Sequence, residues 1–411
     1  MTRDNDSSSR HNKRKWIESV NTMDPFTQGT IGGIAAMLAT RHFHAKRHPP
    51  PTSKLKPSRA SMPKPLTLAA IGFLAGMAAD LDVLIRSDQD PLLFLTYHRQ
   101  FTHSLLFIPI GGLLISGLAM LLFEINNRCF KRSTTDNAIA TERFTGLLMT
   151  TLAATCGYAS HALLDACTSY GTQLLWPLSS HRFAWNLLSV IDPVYTLGLL
   201  FCLWQLIRSR RSSLVVIAIG WILFYPLLGW IQQQRALSIV AALADQRQHI
   251  VERVQVKPSF GNLIVWKMIY ESNQRFYVDA VHLGMHTVIY PGDSIEKFQP
   301  TNSRSKQQTP AQTPMQRQDG PLSWLDPNSQ QAIDIARFRV FSDDYLALAA
   351  DDPYQIIDIR YSMMPNEIDG LWWIQLSKTT LADEHVGYHT KRTLTTTQRA
   401  HFINMLLGRA L

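Results

Sequence analysis

Residues 66–85 read LTLAAIGFLAGMAADLDVLI, an apolar run that ends in two carboxylates. A helix needs about 20 mainly apolar residues to cross a bilayer, and this run reaches that length. Four further runs approach or meet it, at Ser104–Phe123, Thr145–Ala166, Leu187–Ile207 and Leu214–Ile231. A marginal segment, Phe26–Thr40, is shorter and broken by the pair Gly32-Gly33. The sequence therefore predicts five transmembrane helices and a marginal sixth.

The 411-residue chain divides into two unlike halves, because the long apolar runs end near residue 232. The second half predicts one helix and several strands rich in β-branched and aromatic residues. The helix covers Leu237–Gln248, and the strands cover Ile250–Val256, Leu263–Glu271, Phe276–Leu283, Ala336–Phe341, Gln355–Tyr361 and Leu371–Leu376. Residues 299–321 are polar and aperiodic, which predicts a flexible insertion.

The predicted fold class is therefore mainly α, with a polytopic transmembrane bundle of five to six spans followed by a soluble α+β domain. The bundle covers residues 23–232 and the soluble domain covers 233–411, with a basic N-terminal tail over 1–22.

The net charge of +9 lies mostly in short segments beside the apolar runs. Residues 41–64, 124–144 and 208–213 are rich in Lys and Arg, whereas the loops over 86–103 and 167–186 contain few. Positive residues favour the cytoplasmic side of a membrane. We therefore place the two poorly charged loops outside, together with the second half of the chain, and expect no nucleic-acid partner.

Ionisable side chains gather at the ends of the runs that meet this outer face. A charged group at the centre of a spanning helix costs about 2.5–3.5 kcal/mol on insertion scales, so such groups persist where they pair or function. The group comprises Asp80, Asp82, His98, His103, His161, Asp165 and Asp192. Because these residues all flank the same membrane face, we expect them to converge at one depth.

The spacing of this group suits a metal ion. His161 and Asp165 are four residues apart, so on a helix they share one face about 5–6 Å apart at Cβ. Imidazole and carboxylate ligands together suit zinc, with manganese or iron as alternatives. Asp80 and Asp82 cannot share a face, so one is expected to bind metal while the other caps the next segment or orients a histidine. The predicted metal ligands are Asp80, Asp82, His98, His103, His161 and Asp165, and Asp80 or Asp82 is assigned as general base.

Each feature taken alone has a simpler explanation. Asp80 and Asp82 would end a helix at the membrane interface, and His161 with Asp165 would form a hydrogen-bonded pair between helices. Three such features on one membrane face favour a metal or catalytic site over these explanations. The four cysteines form no CxxC pair, so a cysteine-type zinc site is not expected.

Several ordered motifs in the first half resemble the YdjM-like family. They are MDPFTQG at 23–29, DLD at 80–82, HRQFTHS at 98–104, HALLD at 161–165 and SYGT at 169–172 with the following Trp176-Pro177. The resemblance covers roughly residues 23–195 and implies a metal-dependent hydrolase of the bacterial inner membrane, regulated by LexA in some members. A distant similarity to zinc-dependent phospholipase C implies that Asp80 or Asp82, His98 or His103, His161 and Asp165 are ligands. Many relatives have a histidine where this chain has Gln28.

The leading hypothesis is a membrane-bound hydrolase that uses one or two divalent ions, preferably zinc, to activate water against a lipid or phosphoester substrate. The charge bias of the loops predicts that its site and its C-terminal domain lie on the outer face, which is the periplasmic face in a Gram-negative bacterium. A second hypothesis is a non-catalytic transporter or metal-binding membrane protein, because intramembrane Asp and His also mark ion pathways. A third is a membrane-anchored scaffold whose working part is the C-terminal domain.

Overall fold

The fold is known from a computed structural model that describes residues 24–45, 63–129, 139–209, 211–299 and 322–411. The predicted basic tail and all but Gln299 of the predicted flexible insertion lie outside the described residues.

The first half is helical. Within the described residues, α1 covers Pro25–Ala45, α2 Pro65–Ala78, α3 Leu93–Tyr97, α4 Phe107–Cys129, α5 Ile139–Cys167, α6 Pro193–Arg208 and α7 Ser212–Gln246. Two 3₁₀ turns, Ala79–Leu84 and Phe101–His103, follow α2 and precede α4. The marginal segment Phe26–Thr40 is part of α1, which packs against α2, α5 and α6.

Four helical stretches are long and apolar enough to cross a membrane: Pro65–Leu84, Phe107–Asn126, Phe144–Cys167 and Ser212–Gln246. Large apolar side chains such as Leu114, Leu122 and Leu223 are exposed on these helices. Exposed apolar stripes of this extent are suited to lipid contact. The helical region is thus the membrane part that the sequence predicted.

The helix predicted over Leu187–Ile207 is wrong at its start, because α6 begins at Pro193. The Asp192 carboxylate accepts hydrogen bonds from the backbone N–H groups of Val194 and Tyr195, and proline is favoured in a first helical turn. With 16 residues, α6 is about 24 Å long, shorter than the bilayer core of about 30 Å.

Glycines allow the central helices to approach closely. A Cβ built on Gly72 in α2 would lie 2.5 Å from the carbonyl oxygen of Gly32 in α1. A Cβ on Gly157 in α5 would lie 2.5 Å from the Gly72 carbonyl oxygen. Small residues at such crossings are the usual basis of close helix packing in membranes. These contacts fix α1, α2 and α5 against each other just below the ionisable cluster.

The long helix α7 continues through the predicted domain boundary after residue 232. The helix predicted separately over Leu237–Gln248 is its last part. Beyond the apolar stretch, Gln232 donates hydrogen bonds to the carbonyl oxygens of Leu263 and Leu283, 3.2 and 2.8 Å away. The helix thus runs directly from the apolar region into contact with the C-terminal sheet, while the boundary itself stays a prediction.

The second half contains two antiparallel sheets. The first has the order β1–β2–β3–β4, with β5 also paired to β3, and the second has the order β6–β7–β8–β9. In chain order the strands cover Arg253–Pro258, Val265–Ser272, Arg275–Leu283, Thr287–Tyr290, Ser294–Glu296, Leu346–Leu348, Gln355–Asp358, Trp372–Gln375 and Gly387–Thr390. Two helices complete this part, α8 at Gln330–Phe341 and α9 at Thr396–Leu406.

The strand predicted over Ala336–Phe341 is wrong, because these residues form the end of α8. The Ser329 hydroxyl caps the helix by accepting the Ala332 N–H, and Ile335 and Phe338 bury a face with helical spacing. The apolar run at 336–341 resembles a strand only when it is considered without the helix-capping residue Ser329 seven residues before it.

The C-terminal sheets and the loops of the helical region contact each other. Arg337 of α8 forms a bidentate ion pair with Asp90, at 3.0 and 2.9 Å. The Tyr361 hydroxyl donates to the Ser169 carbonyl oxygen at 2.5 Å. The C-terminal half therefore lies on the same side as the 86–103 and 167–186 loops, as the sequence predicted.

Candidate metal centre

Four side chains from three separate segments meet at the end of the central helices. Asp80 lies in the 3₁₀ turn after α2, His103 in the 3₁₀ turn before α4, and His161 and Asp165 in the last turns of α5. The side chains of His103, His161 and Asp165 are fully buried, and that of Asp80 is 10% exposed. One ligand atom from each residue lies within 4.8 Å of the other three.

The distances between these atoms are close to those around a tetrahedral ion. The Nε2 atoms of His103 and His161 are 2.8 Å apart, and each lies 3.4 Å from Asp80 Oδ1. Asp165 Oδ2 lies 3.2 Å from His103 Nε2 and 3.5 Å from His161 Nε2. A zinc ion bound at about 2.0–2.1 Å by tetrahedral ligands separates those ligands by about 3.3–3.4 Å. The four nitrogen–oxygen distances, 3.2–3.5 Å, fit such an ion, whereas the two Nε2 atoms, at 2.8 Å, lie closer together than ligands of one zinc ion do.

The hydrogen bonds of the two imidazoles leave their Nε2 lone pairs directed at this point. His161 Nδ1 donates to the Gly76 carbonyl oxygen at 2.5 Å, since a carbonyl only accepts. His103 Nδ1 lies 2.9 Å from the Thr102 hydroxyl and 3.3 Å from Asp82 Oδ2. Because Thr102 donates its own proton to Asp82, His103 Nδ1 is the donor in its contact with Thr102. With both Nδ1 atoms protonated, neutral imidazoles place two lone pairs face to face, an arrangement that a cation stabilises.

The carboxylates of the cluster also indicate that a cation binds at this point. Asp80 Oδ1 and Asp165 Oδ2 are buried and accept no hydrogen bond of good geometry in the described structure. A buried carboxylate oxygen without a hydrogen bond is costly. Of the three carboxylates, those of Asp80, Asp82 and Asp165, the last forms an ion pair with the Arg99 guanidinium, so these four side chains carry a formal charge of −2 when the histidines are neutral. One divalent cation would neutralise this charge.

Asp82 is fully occupied by hydrogen bonds instead. Its Oδ1 lies 2.8 Å from His98 Nδ1, and its Oδ2 accepts the Arg99 backbone N–H at 3.0 Å and the Thr102 hydroxyl at 2.6 Å. Asp82 therefore holds the 98–103 segment and orients His103, the arrangement of a carboxylate behind a metal-binding histidine.

Asp82→Asn is expected to weaken metal affinity about 10–100-fold, because an amide cannot serve all the donors that Asp82 accepts. The measurement is a competition titration of the purified protein against a chelator of known affinity. Asp88→Asn, which removes an exposed carboxylate from the neighbouring loop, is the matched control. Equal metal affinity of Asp82→Asn and the unchanged protein would contradict this role.

Sequence reasoning missed Arg99. Its guanidinium Nε lies 3.2 Å from Asp165 Oδ2, and its side chain is only 1% exposed. Its backbone adopts φ 59°, which is uncommon outside glycine and which directs the N–H to Asp82. Its position between two histidines of one motif was the available signal.

Gln28 also enters the site. Its Nε2 donates to Asp165 Oδ1 at 3.3 Å, so the residue that replaces the histidine expected from the resemblance contacts a carboxylate of the cluster.

The other predicted residues lie around this centre. His98 forms a second group with Asp80 and Asp82, also within 4.8 Å, and its side chain is 13% exposed. Asp192 is not part of either group, since it caps α6 and accepts the Tyr225 hydroxyl at 2.8 Å. The structure thus brings together all six residues that the sequence predicted as ligands, four of them around one point.

A third acidic and histidine group lies between the two halves of the chain. It comprises Asp90, Asp334 and His385. Arg337 forms ion pairs with both carboxylates, at 2.9 and 3.1 Å. This guanidinium occupies the position that a cation would take, so the group is an ion-pair network between the halves.

Comparison with known proteins gives one match. The chain matches the YdjM inner membrane protein family over residues 23–236. No curated protein and no solved structure matches it. The family match includes the whole cluster described above and more than half of the 411 residues. The chain therefore belongs to the YdjM inner membrane protein family.

Proposed function

We propose that this protein is a membrane-bound, metal-dependent hydrolase that acts on a lipid or phosphoester substrate. The proposal depends chiefly on one observation: two buried imidazole nitrogens and two buried carboxylate oxygens lie within 4.8 Å of one another and could together hold one divalent ion.

The proposed ligands are Asp80, His103, His161 and Asp165. Two nitrogens of neutral imidazoles and two oxygens of ionised carboxylates form a donor set that suits zinc. One ion satisfies the four atoms of the first group, and the second group shares Asp80 with it. We therefore propose one zinc ion, with the His98 side as the place for a second.

The chemistry would take place on the side of Asp80 and His98, the two partly exposed members of the site. A bound divalent ion supplies a lowered pKa for a coordinated water and so a nucleophile near neutral pH. His98 donates its Nδ1 proton to Asp82, which leaves its Nε2 free to accept a proton from water. We assign His98 as the general base in place of Asp80 or Asp82, because Asp80 is a proposed ligand and Asp82 is occupied by hydrogen bonds. Asp82 is then the residue that positions His98. Arg99 would balance the charge that Asp165 carries.

The location of the site supports a substrate with a lipid part. The cluster lies at the ends of the helical stretches Pro65–Leu84 and Phe144–Cys167, which are suited to crossing a bilayer. A phosphoester at the headgroup level would reach this depth. The charge bias of the loops supports a periplasmic location for this end of the helices.

A second candidate is a metal-binding membrane protein without turnover. Four protein ligands form the closed set typical of structural zinc, whereas catalytic sites usually provide three and keep one position open. The 10% exposure of Asp80 is the feature that favours the hydrolase, because it gives water access to the ligand set.

The test compares metal content with turnover in the full-length protein in lipid nanodiscs. We expect about one zinc per chain by elemental analysis and hydrolysis of bis(p-nitrophenyl) phosphate or a fluorescent phospholipid. A chelator should abolish hydrolysis, and added zinc should restore it, because the metal supplies the nucleophile.

His181→Ala, which removes an exposed histidine outside the cluster, should change neither quantity. Stoichiometric zinc without hydrolysis of any ester would support the second candidate, and a protein that binds no divalent metal would rule out both.

A further inference from the structure

A cavity of about 40 Å³ lies where the C-terminal half meets the loops that precede α6. The loop side contributes Ser169, Tyr170 and Ser189, and the sheet side contributes Lys257, Lys267 and Arg360, with Ser259 and Ser362 beside them. Three cationic side chains therefore face one small enclosed space, with hydroxyl groups between them.

Lys257 is the central observation. The residue is only 5% exposed, and its Nζ donates no hydrogen bond to any of the described residues. Its Nζ lies 3.0 Å from the centroid of the Tyr361 ring, in a cation–π contact. An ammonium group carries three N–H donors, so those that do not face the ring are left for a ligand.

The other two cationic side chains, Arg360 and Lys267, differ in whether a carboxylate pairs with them. Arg360 is paired with Asp358 at 2.7 Å. Lys267 donates to the Ser362 hydroxyl and the Glu367 carbonyl oxygen, both at 2.8 Å, and both acceptors are neutral. Among the described residues, neither Lys257 nor Lys267 forms an ion pair with a carboxylate. The cavity therefore holds two buried amino groups that no carboxylate of the described residues pairs with.

We propose that this cavity binds the phosphate group of a ligand. A phosphate carries a charge of about −1.5 to −2 at neutral pH, which matches two unpaired lysines. Its oxygens accept hydrogen bonds from ammonium, guanidinium and hydroxyl groups together, which are the donors that line this space.

The competing explanation is that the lysines are simply buried in their neutral form. Burial lowers the pKa of Lys257 well below its usual range and that of Lys267 to about 7. A bound phosphate would reverse both shifts, because an adjacent anion favours the charged ammonium. The two explanations therefore predict opposite responses to phosphate.

This site is separate from the metal centre but adjacent to it. The Tyr170 ring lines the cavity, and the Arg99 guanidinium carbon lies 5.2 Å from the centroid of the same ring. Arg99 in turn contacts Asp165 of the cluster. The phosphate site does not depend on the proposed hydrolysis, since none of the proposed metal ligands lines the cavity.

The test is phosphate binding by calorimetry on the full-length protein in a maltoside detergent, with chelator present so that no phosphate binds through metal. We expect one inorganic phosphate per chain. Lys257→Met should weaken binding about tenfold or more, because it removes a charged donor at similar volume. Lys391→Met, which changes a half-exposed lysine paired with Asp369, is the matched control and should bind like the unchanged protein.

Thermal unfolding provides a second measure of phosphate binding, in case the variant gives no calorimetric heat for reasons other than lost affinity. Phosphate should raise the Tm of the unchanged protein and of Lys391→Met, but not that of Lys257→Met. A parallel titration with short-chain phosphatidylglycerol and phosphatidylcholine distinguishes a lipid headgroup from free phosphate as the source. The proposal is overturned if neither phosphate nor phospholipid binds, or if Lys257→Met binds them as tightly as the unchanged protein. Neither result depends on whether the metal centre hydrolyses anything.

Discussion

His161→Ala should yield protein that contains little or no metal and shows only background hydrolysis. His161 contributes one of four ligand atoms at the centre, and its Nδ1 is held by the Gly76 carbonyl oxygen. Zinc sites with four protein ligands bind with about 10–16 kcal/mol, so one ligand contributes about 3 kcal/mol, or roughly a 100-fold change in affinity. Elemental analysis after dialysis and the ester assay measure the two effects.

The control for this variant is His181→Ala, which should retain both metal and activity. His161→Ala protein must also elute as a monodisperse species, so that metal loss is not attributed to unfolding. If folded His161→Ala protein kept its full metal content, the centre would not be the one described here.

Gly72→Ala should prevent accumulation of folded protein in the membrane, or lower its Tm by many degrees. The added Cβ would meet the Gly32 carbonyl oxygen at 2.5 Å, and a backbone atom cannot rotate away as a flexible side chain can. Overpacking typically costs about 1–3 kcal/mol, and a clash with a second helix backbone belongs at the upper end of that range. Fluorescence-detected chromatography with a heating series measures the loss.

Gly117→Ala is the matched control, because a Cβ there meets nothing within 4 Å. It also replaces glycine within a helix, where alanine is favoured by about 1 kcal/mol, so its Tm should stay equal or rise. Similar behaviour of the two variants would show that close approach at Gly72 does not limit stability.

The sequence predicted the site correctly where side chains that can bind metal recur at the spacing of a helix. The four-residue spacing of His161 and Asp165 predicted a shared face, and both side chains reach the centre. The convergence of residues 80, 82, 98 and 103 on that pair was also predicted, because the predicted runs end on one membrane face. Which of two neighbouring aspartates faces the centre was left open, since a 3₁₀ turn changes the directions of both.

Other features depend on contacts that no local pattern reports. The role of Arg99 requires a left-handed backbone that brings its N–H to Asp82, and nothing in its immediate neighbours specifies that conformation. The start of α6 was placed too early because residues 187–191 are apolar enough to extend the hydropathy window. The strand predicted over Ala336–Phe341 was an error because the stretch of sequence considered was too short to include the helix cap at Ser329.

The 35-residue helix α7 has a mechanical consequence. At about 1.5 Å per residue it is about 52 Å long, so about 20 Å extends past a hydrocarbon core of about 30 Å. Gln232, about 30 Å from the start of the helix, lies where this extension begins and donates a hydrogen bond to Leu283, at the end of the sheet that forms one wall of the phosphate cavity. A helix adjusts its tilt to the thickness of the surrounding lipid. A change in bilayer thickness would thus change the tilt of α7 and move this cavity wall relative to the loops opposite it.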